Sequence, residues 1–398
     1  MIETLRKYLK GDPVIWAVIF ALSIFSILAV YSSTGSLAYK LREGNTTYYI
    51  MKHGVILMIG LCIIYVTHLI PYKYYSRLSQ IFLFISVPLL LFTLVMGTNL
   101  NSAARWLTLP GIGLTIQTSD LAKLALIMYV ARMLSMNQDN IKDFRSAFIP
   151  IVTPVLIVCI LIVPANLSTS ALLFATAVIL MFIGRISIKH LLLLAGVGIL
   201  ALSLFIVIAL AFKIEGRIGT WKNRIENFTK KGDEASYQVE QSKIAVVTGG
   251  IIGKGPGKSV QRNFLPHPYS DFIFAIIIEE YGVIGGLILV FLYLYILYRA
   301  GVMVRKSNRT FPAFLSIGLA ISLVFQAMIN MGVAVDLLPV TGQTLPLVSM
   351  GGSSLLFTSV AFGIILSVSR GVDSLEENAI EEEKSKVKTD AEPVVEEV

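Results

Sequence analysis

Long apolar runs, most of them about 17 to 25 residues, alternate with short polar stretches along the chain. Each is long enough to cross a hydrocarbon core of about 30 Å as a helix, whereas a barrel strand needs about half that length. Ten runs are predicted to span a membrane: 13–34, 50–70, 78–97, 115–134, 147–164, 167–184, 188–212, 270–298, 311–333 and 345–369. The first follows the basic stretch "RKYLK", but its apolar part is too long for a signal peptide and no small-residue cleavage site is clear. It reads as a retained helix.

Composition agrees. Of 398 residues, 55% are hydrophobic and 15% charged, and the mean hydropathy of +0.76 is far from that of a water-soluble fold. The expected class is an all-α polytopic integral membrane protein. The formal charge of +8 comes from Lys and Arg scattered among short loops, with no basic patch of the kind that grips nucleic acid. Cys62 and Cys159 fall inside apolar runs and read as small buried hydrophobes. His53, His68, His190 and His267 have no metal-ligand spacing.

If ten helices alternate, most loop cations fall on one side: Arg6, Lys7 and Lys10, Lys73 and Arg77, Lys142 and Arg145, Arg185 and Lys189, then Arg305, Lys306 and Arg309. That bias predicts both termini to be cytoplasmic. The expected organisation is a cytoplasmic N-terminus at 1–12, a membrane domain at 13–370 and an acidic tail at 371–398. Rich in glutamate, that tail reads as disordered.

One connection, 213–269, is far longer than a bundle needs and is predicted to be extracytoplasmic. Within it "DEASYQVEQSKIAVVTGGIIG" has apolar residues at helical spacing, suited to a helix on the membrane surface. The stretch "GGIIGKGPGKS" approaches a phosphate-binding loop, but Ile252 stands where the first glycine is required, so it reads as a flexible turn. No repeat of the inverted-transporter kind is visible.

The chemistry gathers at buried charges. An ionisable group inside a bilayer costs about 2.5–3.5 kcal/mol, so it persists when paired or when it lines a wet cavity. Asp271 stands at the outer mouth of the eighth span, and Glu279 and Glu280 lie about 12–14 Å deeper along the helix axis. Lys123, in "IQTSDLAKLALI", is expected at similar depth and so to pair with one of those glutamates, or with Asp271 where the side chain stretches outward, with Asp120 one turn away to share the pair. A structural salt bridge and a functional role are both open for that pair. Asp271 or Ser270 either caps the helix that follows "LPHPYS" or serves chemistry. Arg105, beside Trp106 in a short outer loop, suits bidentate grip of a phosphate. Two carboxylates eight residues apart on one helix miss the spacing of a glycosidase pair. One base with cations to hold a departing diphosphate is sufficient where the leaving group is already good.

The stretches "RWL" with "QTSDLAK", "YQVEQSKIAVVTGGIIGKGPGKS", "FLPHPYSDFIFAIIIEEYG" and "NMGVAVDLLPVTGQTLPLVSMGGSS", in this order, resemble the FtsW/RodA family, the SEDS proteins of bacterial cell-wall synthesis. The resemblance covers about Arg105 to Arg370. It implies a ten-helix peptidoglycan glycosyltransferase of the bacterial cytoplasmic (inner) membrane, polymerising lipid II beside a class B penicillin-binding protein and other division proteins. Asp271 matches the family's essential aspartate, with Ser270 in place of threonine. Gln117 to Lys123 match "QPSELAK" with Thr118 for proline and Asp120 for glutamate, and "PANLSTSA" carries Asn166 where the family has aspartate. By this likeness Asp271 is the base, and Arg105, Lys123, Gln117, Ser270, Ser349 and Ser353 are expected at the substrate. Glu279 or Glu280 is expected to hold Lys123. A divalent cation, Mg or Mn, near Asp271 is compatible with diphosphate chemistry, but no second ligand is evident. The wording of "GKGPGKSVQRNFLPHP" is closer to the division branch than to the elongation branch. A lipid II flippase is the alternative reading, because buried charges also line translocation paths.

Overall fold

In the computed structural model, residues 9–35, 37, 39, 45–100, 103–108, 115–211 and 233–390 are described. Each apolar run folds as a helix: α1 Pro13–Ser33, α2 Thr46–Leu69, α3 Tyr72–Met96, α4 Thr118–Met136, α5 Ile149–Ile162, α6 Leu167–Ile183 and α7 Ile188–Ala211. After α8, Asp233–Gly249, which belongs to the long connection, come α9 Ile273–Lys306, α10 Thr310–Ala334 and α11 Gly352–Asp390. Among the described residues seven helices are long and apolar enough to cross a membrane unaided: α1, α2, α3, α5 with the π turn before it, α9, α10 and the first part of α11. Helix α6 and the described start of α7 are apolar but shorter. Helix α4 carries Asp120, Lys123 and Arg132, and its charges are turned inward.

Local sequence fixes several starts. Asp12 accepts from Val14 N at 2.9 Å and Pro13 occupies the first turn of α1. The same carboxylate takes the Arg299 guanidinium at 2.6 Å, tying α1 to α9. Asn166 caps α6 through Thr169 N at 3.3 Å, which gives it a neutral structural use.

Helix α10 is the most enclosed, followed by α11, while α2 and α3 turn much of their surface outward. Exposed side chains such as Met58, Phe84 and Phe291 are the lipid-facing surface a bilayer requires.

Four features depart from the sequence reading. Between α3 and α4 lies a small antiparallel sheet, β1 Thr98–Leu100, β2 Ala103–Thr108 and β3 Thr115–Gln117, with Trp106 opposite Gln117. The last span begins at Gly352, not 345, and 335–351 is non-helical. Helix α9 is broken at Gly282, whose φ is 71°. A side chain there would sit 2.1 Å from the Ile251 carbonyl oxygen, so only glycine fits. Finally, the acidic segment, expected to lack structure, continues α11 as far as Asp390, since Glu, Lys and Ala are good helix formers. Of the long connection, 212–232 lies outside the described residues.

Candidate functional site

The site begins where α9 begins. Phe272 occupies the cap position with no side-chain hydrogen bond, so neither Ser270 nor Asp271 caps the helix. Ser270 Oγ instead donates to Asp271 Oδ1 at 2.8 Å, and the half-buried carboxylate stands at the helix mouth. Gly342 has a φ of +69°, and a Cβ on it would lie 3.6 Å from Asp271 Oδ2.

The backbone around Asp271 is held from three directions. Asn330 Nδ2 on α10 donates to Asp271 O at 2.9 Å. Ser349 Oγ donates to Ser270 O at 2.7 Å, and Met350 N donates to Tyr269 O at 2.9 Å. Burial, and then the charge of Asp271, raises the Tyr269 phenol above its ordinary pKa. It therefore remains neutral beside the carboxylate.

Two of those tethers come from the non-helical 335–351 segment, which enters the bundle and needs partners for its backbone. Neighbouring helices supply them. Gln326 Nε2 donates to Thr344 O at 2.9 Å, Asn330 Nδ2 to Gln343 O at 2.7 Å, Tyr293 OH to Pro346 O at 2.5 Å and Ser26 Oγ to Val348 O at 2.9 Å. Gln326 and Asn330 are one turn apart on α10, so one helix face fastens the segment that fastens Asp271.

Lys123 reaches the same face. Its ammonium donates to Gln326 Oε1 at 2.7 Å and lies 3.5 Å from Asp120 Oδ1. The expected pairing with Glu279 or Glu280 does not form. Glu279 takes Lys254 Nζ at 2.7 Å and accepts from Ser259 Oγ, Val260 N and Gln261 N. Glu280 accepts from Ser32 Oγ and from Ser259 N. The cause is the break at Gly282: residues 250–255 lie against it, with Lys254 N on Glu279 O at 3.0 Å and Val283 N on Gly250 O at 2.9 Å. The two glutamates therefore organise the loop that leads back to Asp271.

The other expected residues divide. Gln117 N donates to Ser353 Oγ at 3.1 Å, joining the sheet to the start of α11. Ser349 is buried, its hydroxyl donating to Ser270 O and accepting from Leu345 N at 2.8 Å. Arg105 is on β2, with its side chain outside the described part of the structure. Gln326, Asn330 and Tyr293 escaped the sequence reading; the signal available was a pair of amides four residues apart in an otherwise apolar run. Among the described residues no group of three or more His, Cys, Asp or Glu could hold a metal ion. An apolar groove of about 720 Å³ runs between α1 and α2. At its floor His53 bonds Ser26 at 2.8 Å, and thereby reaches the Val348 carbonyl.

A family model for cell cycle proteins of the FtsW, RodA and SpoVE type matches residues 12–373. A protein of Trichlorobacter lovleyi, named probable peptidoglycan glycosyltransferase FtsW, is 32% identical over 381 residues, 94% of this chain and 97% of that one. The crystal structure of Thermus thermophilus rod shape determining protein RodA superposes with a TM-score of 0.65 at 25% identity, covering 90% of this chain and 97% of that one. A chain from a structure described as "Structural coordination of polymerization and crosslinking by a peptidoglycan synthase complex" gives a TM-score of 0.66 at 25% identity, with 90% and 98% covered.

Proposed function

Because the chain belongs to the FtsW, RodA and SpoVE family of cell cycle proteins, we propose that it is a peptidoglycan glycosyltransferase whose general base is Asp271. The observation that carries this reading is a half-buried carboxylate at a helix mouth, on backbone held by Asn330, Ser349 and Met350. Such pre-organisation is what proton abstraction from a bound hydroxyl requires.

Asp271 takes the proton from the acceptor sugar's 4-hydroxyl. The resulting oxygen attacks the anomeric carbon of the lipid II donor, the bond to undecaprenyl diphosphate breaks, and the anomeric centre inverts. The diphosphate leaves as an anion and needs no general acid. Lys123, oriented by Gln326 and Asp120, and Arg105 supply positive charge to it. A Mg or Mn ion would neutralise charge on the diphosphate, but the described residues offer no cluster of ligands to hold one. The groove between α1 and α2 suits the polyprenyl tail.

The chain is a multi-pass membrane protein. The FtsW name of relatives supports placement in the bacterial inner membrane, and the charge bias of the loops supports cytoplasmic termini. Likeness to a chain from a peptidoglycan synthase complex supports work beside a class B penicillin-binding protein, and the FtsW name of relatives supports a role in division.

The test is polymer formation from labelled lipid II by the purified chain with its transpeptidase in detergent, where there are no two sides to flip between. Glycan polymer is expected. Lipid II binding without any polymer from the intact pair would support a flippase and overturn the enzyme reading.

A further inference from the structure

At the end of the bundle away from Asp271, a cavity of about 270 Å³ is lined by Tyr72, Lys73, Arg309, Ser367 and Arg370, together with the α2–α3 turn. Three of these are cations and no carboxylate lines it. The distance from the catalytic end follows from α10: Arg309 precedes Asn330 by 21 residues, about 30 Å of helix, or one hydrocarbon thickness. The cavity thus lies where the opposite membrane face meets water.

Nearby negative ends are already occupied. Arg370 Nη2 donates to Leu69 O at 2.8 Å and Ser367 Oγ to Ile70 O at 2.5 Å, which covers the last carbonyls of α2. Asp12 holds Arg299, and Asp373 accepts from Ser369. Lys73 and Arg309 are exposed, and neither side chain has a hydrogen bond or ion pair among the described residues. Helices α3 and α10 also start here without a side-chain cap, adding their positive ends.

We propose that this cavity binds the phosphate of an anionic phospholipid headgroup. Basic pockets between helices at a membrane face take such groups, and three cations without a carboxylate leave nothing to receive the amine of a zwitterionic lipid. Attachment to a lipid is favoured over free phosphate because Leu69, Tyr74, Ile81 and Phe84 are exposed on α2 and α3, a surface along which acyl chains can lie. The chain's own acidic segment is directed elsewhere: α11 runs as helix from the cavity to Asp390, about 30 Å beyond Arg370.

The experiment measures equilibrium binding of short-chain phosphatidylglycerol to the full chain in neutral detergent, with short-chain phosphatidylcholine and inorganic phosphate as further arms. Saturable phosphatidylglycerol binding is expected, weakened about tenfold or more in Lys73→Gln/Arg309→Gln and kept in Lys73→Arg/Arg309→Lys. Both positions are exposed, so folding is preserved, which melting of each variant verifies. Unchanged affinity in the Gln double variant, or equal binding of phosphatidylcholine, overturns the proposal. Inorganic phosphate displacing the lipid at equal concentration overturns the lipid source and leaves a simple phosphate site.

Discussion

Asn330 donates from one amide nitrogen to the main-chain oxygens of Asp271 and Gln343, at 2.9 and 2.7 Å. One side chain thereby joins the start of α9 to the segment that enters the bundle after α10. The bond to Gln343 is buried and the bond to Asp271 partly so. Asn330→Ala is therefore expected to cost about 1–3 kcal/mol in stability and to lower glycan synthesis without changing Asp271 itself. Melting in detergent and polymerisation rate on the same preparation check it; a variant with unaltered values in both would refute the positioning role.

Lys123 provides a second test, because the structure reassigns its partner. In double-mutant cycles, Lys123→Met with Asp120→Asn should show coupling, since the two groups lie 3.5 Å apart. Lys123→Met with Glu279→Gln should be additive within about 0.3–0.5 kcal/mol, as for separate sites. Coupling only in the second cycle would restore the discarded pairing.

That reassignment indicates what the sequence made legible. Runs of about 20 apolar residues identify helices almost by length alone, and the α8 pattern was visible because its apolar spacing is helical. The sheet was not, since strands of three, six and three residues give too little alternation to detect. Asp271 stood out as a carboxylate at the mouth of an apolar run. The partner of Glu279 was illegible for a different reason. Equal depth assumes a straight helix, whereas Gly282 breaks α9 and residues 250–262 return to cover the break. Gln326 and Asn330 look like ordinary polar residues in a buried run until the backbone they satisfy is known.

Removing the Glu279 charge tests that returning loop. Glu279→Gln leaves Lys254 without its ion partner, and breaking such a buried pair costs toward the lower end of about 3–5 kcal/mol because Lys254 is partly exposed. Hydrogen exchange at the amides of Val260 and Gln261, which Glu279 accepts, should accelerate. Lys254→Met added to Glu279→Gln should recover part of the stability. Unchanged exchange in the single variant would mean the carboxylate does not hold the loop.

Gly282→Ala is the sharpest steric probe. A Cβ placed 2.1 Å from the Ile251 carbonyl oxygen cannot be accommodated without moving backbone, and the φ of 71° adds strain. Loss of most folded, monodisperse protein is expected. By contrast Gly301→Ala, with open space around it in α9, should fold normally, and equal yields for the two would contradict the described break.

The central claim concerns Asp271, and the most direct measurement is the initial rate of glycan polymerisation by Asp271→Asn beside the unaltered protein, each paired with the same transpeptidase and saturated with lipid II. Loss of a general base predicts a rate about 10²- to 10⁴-fold lower, with lipid II binding and melting temperature little changed. A variant that polymerises at the unaltered rate would contradict the assignment.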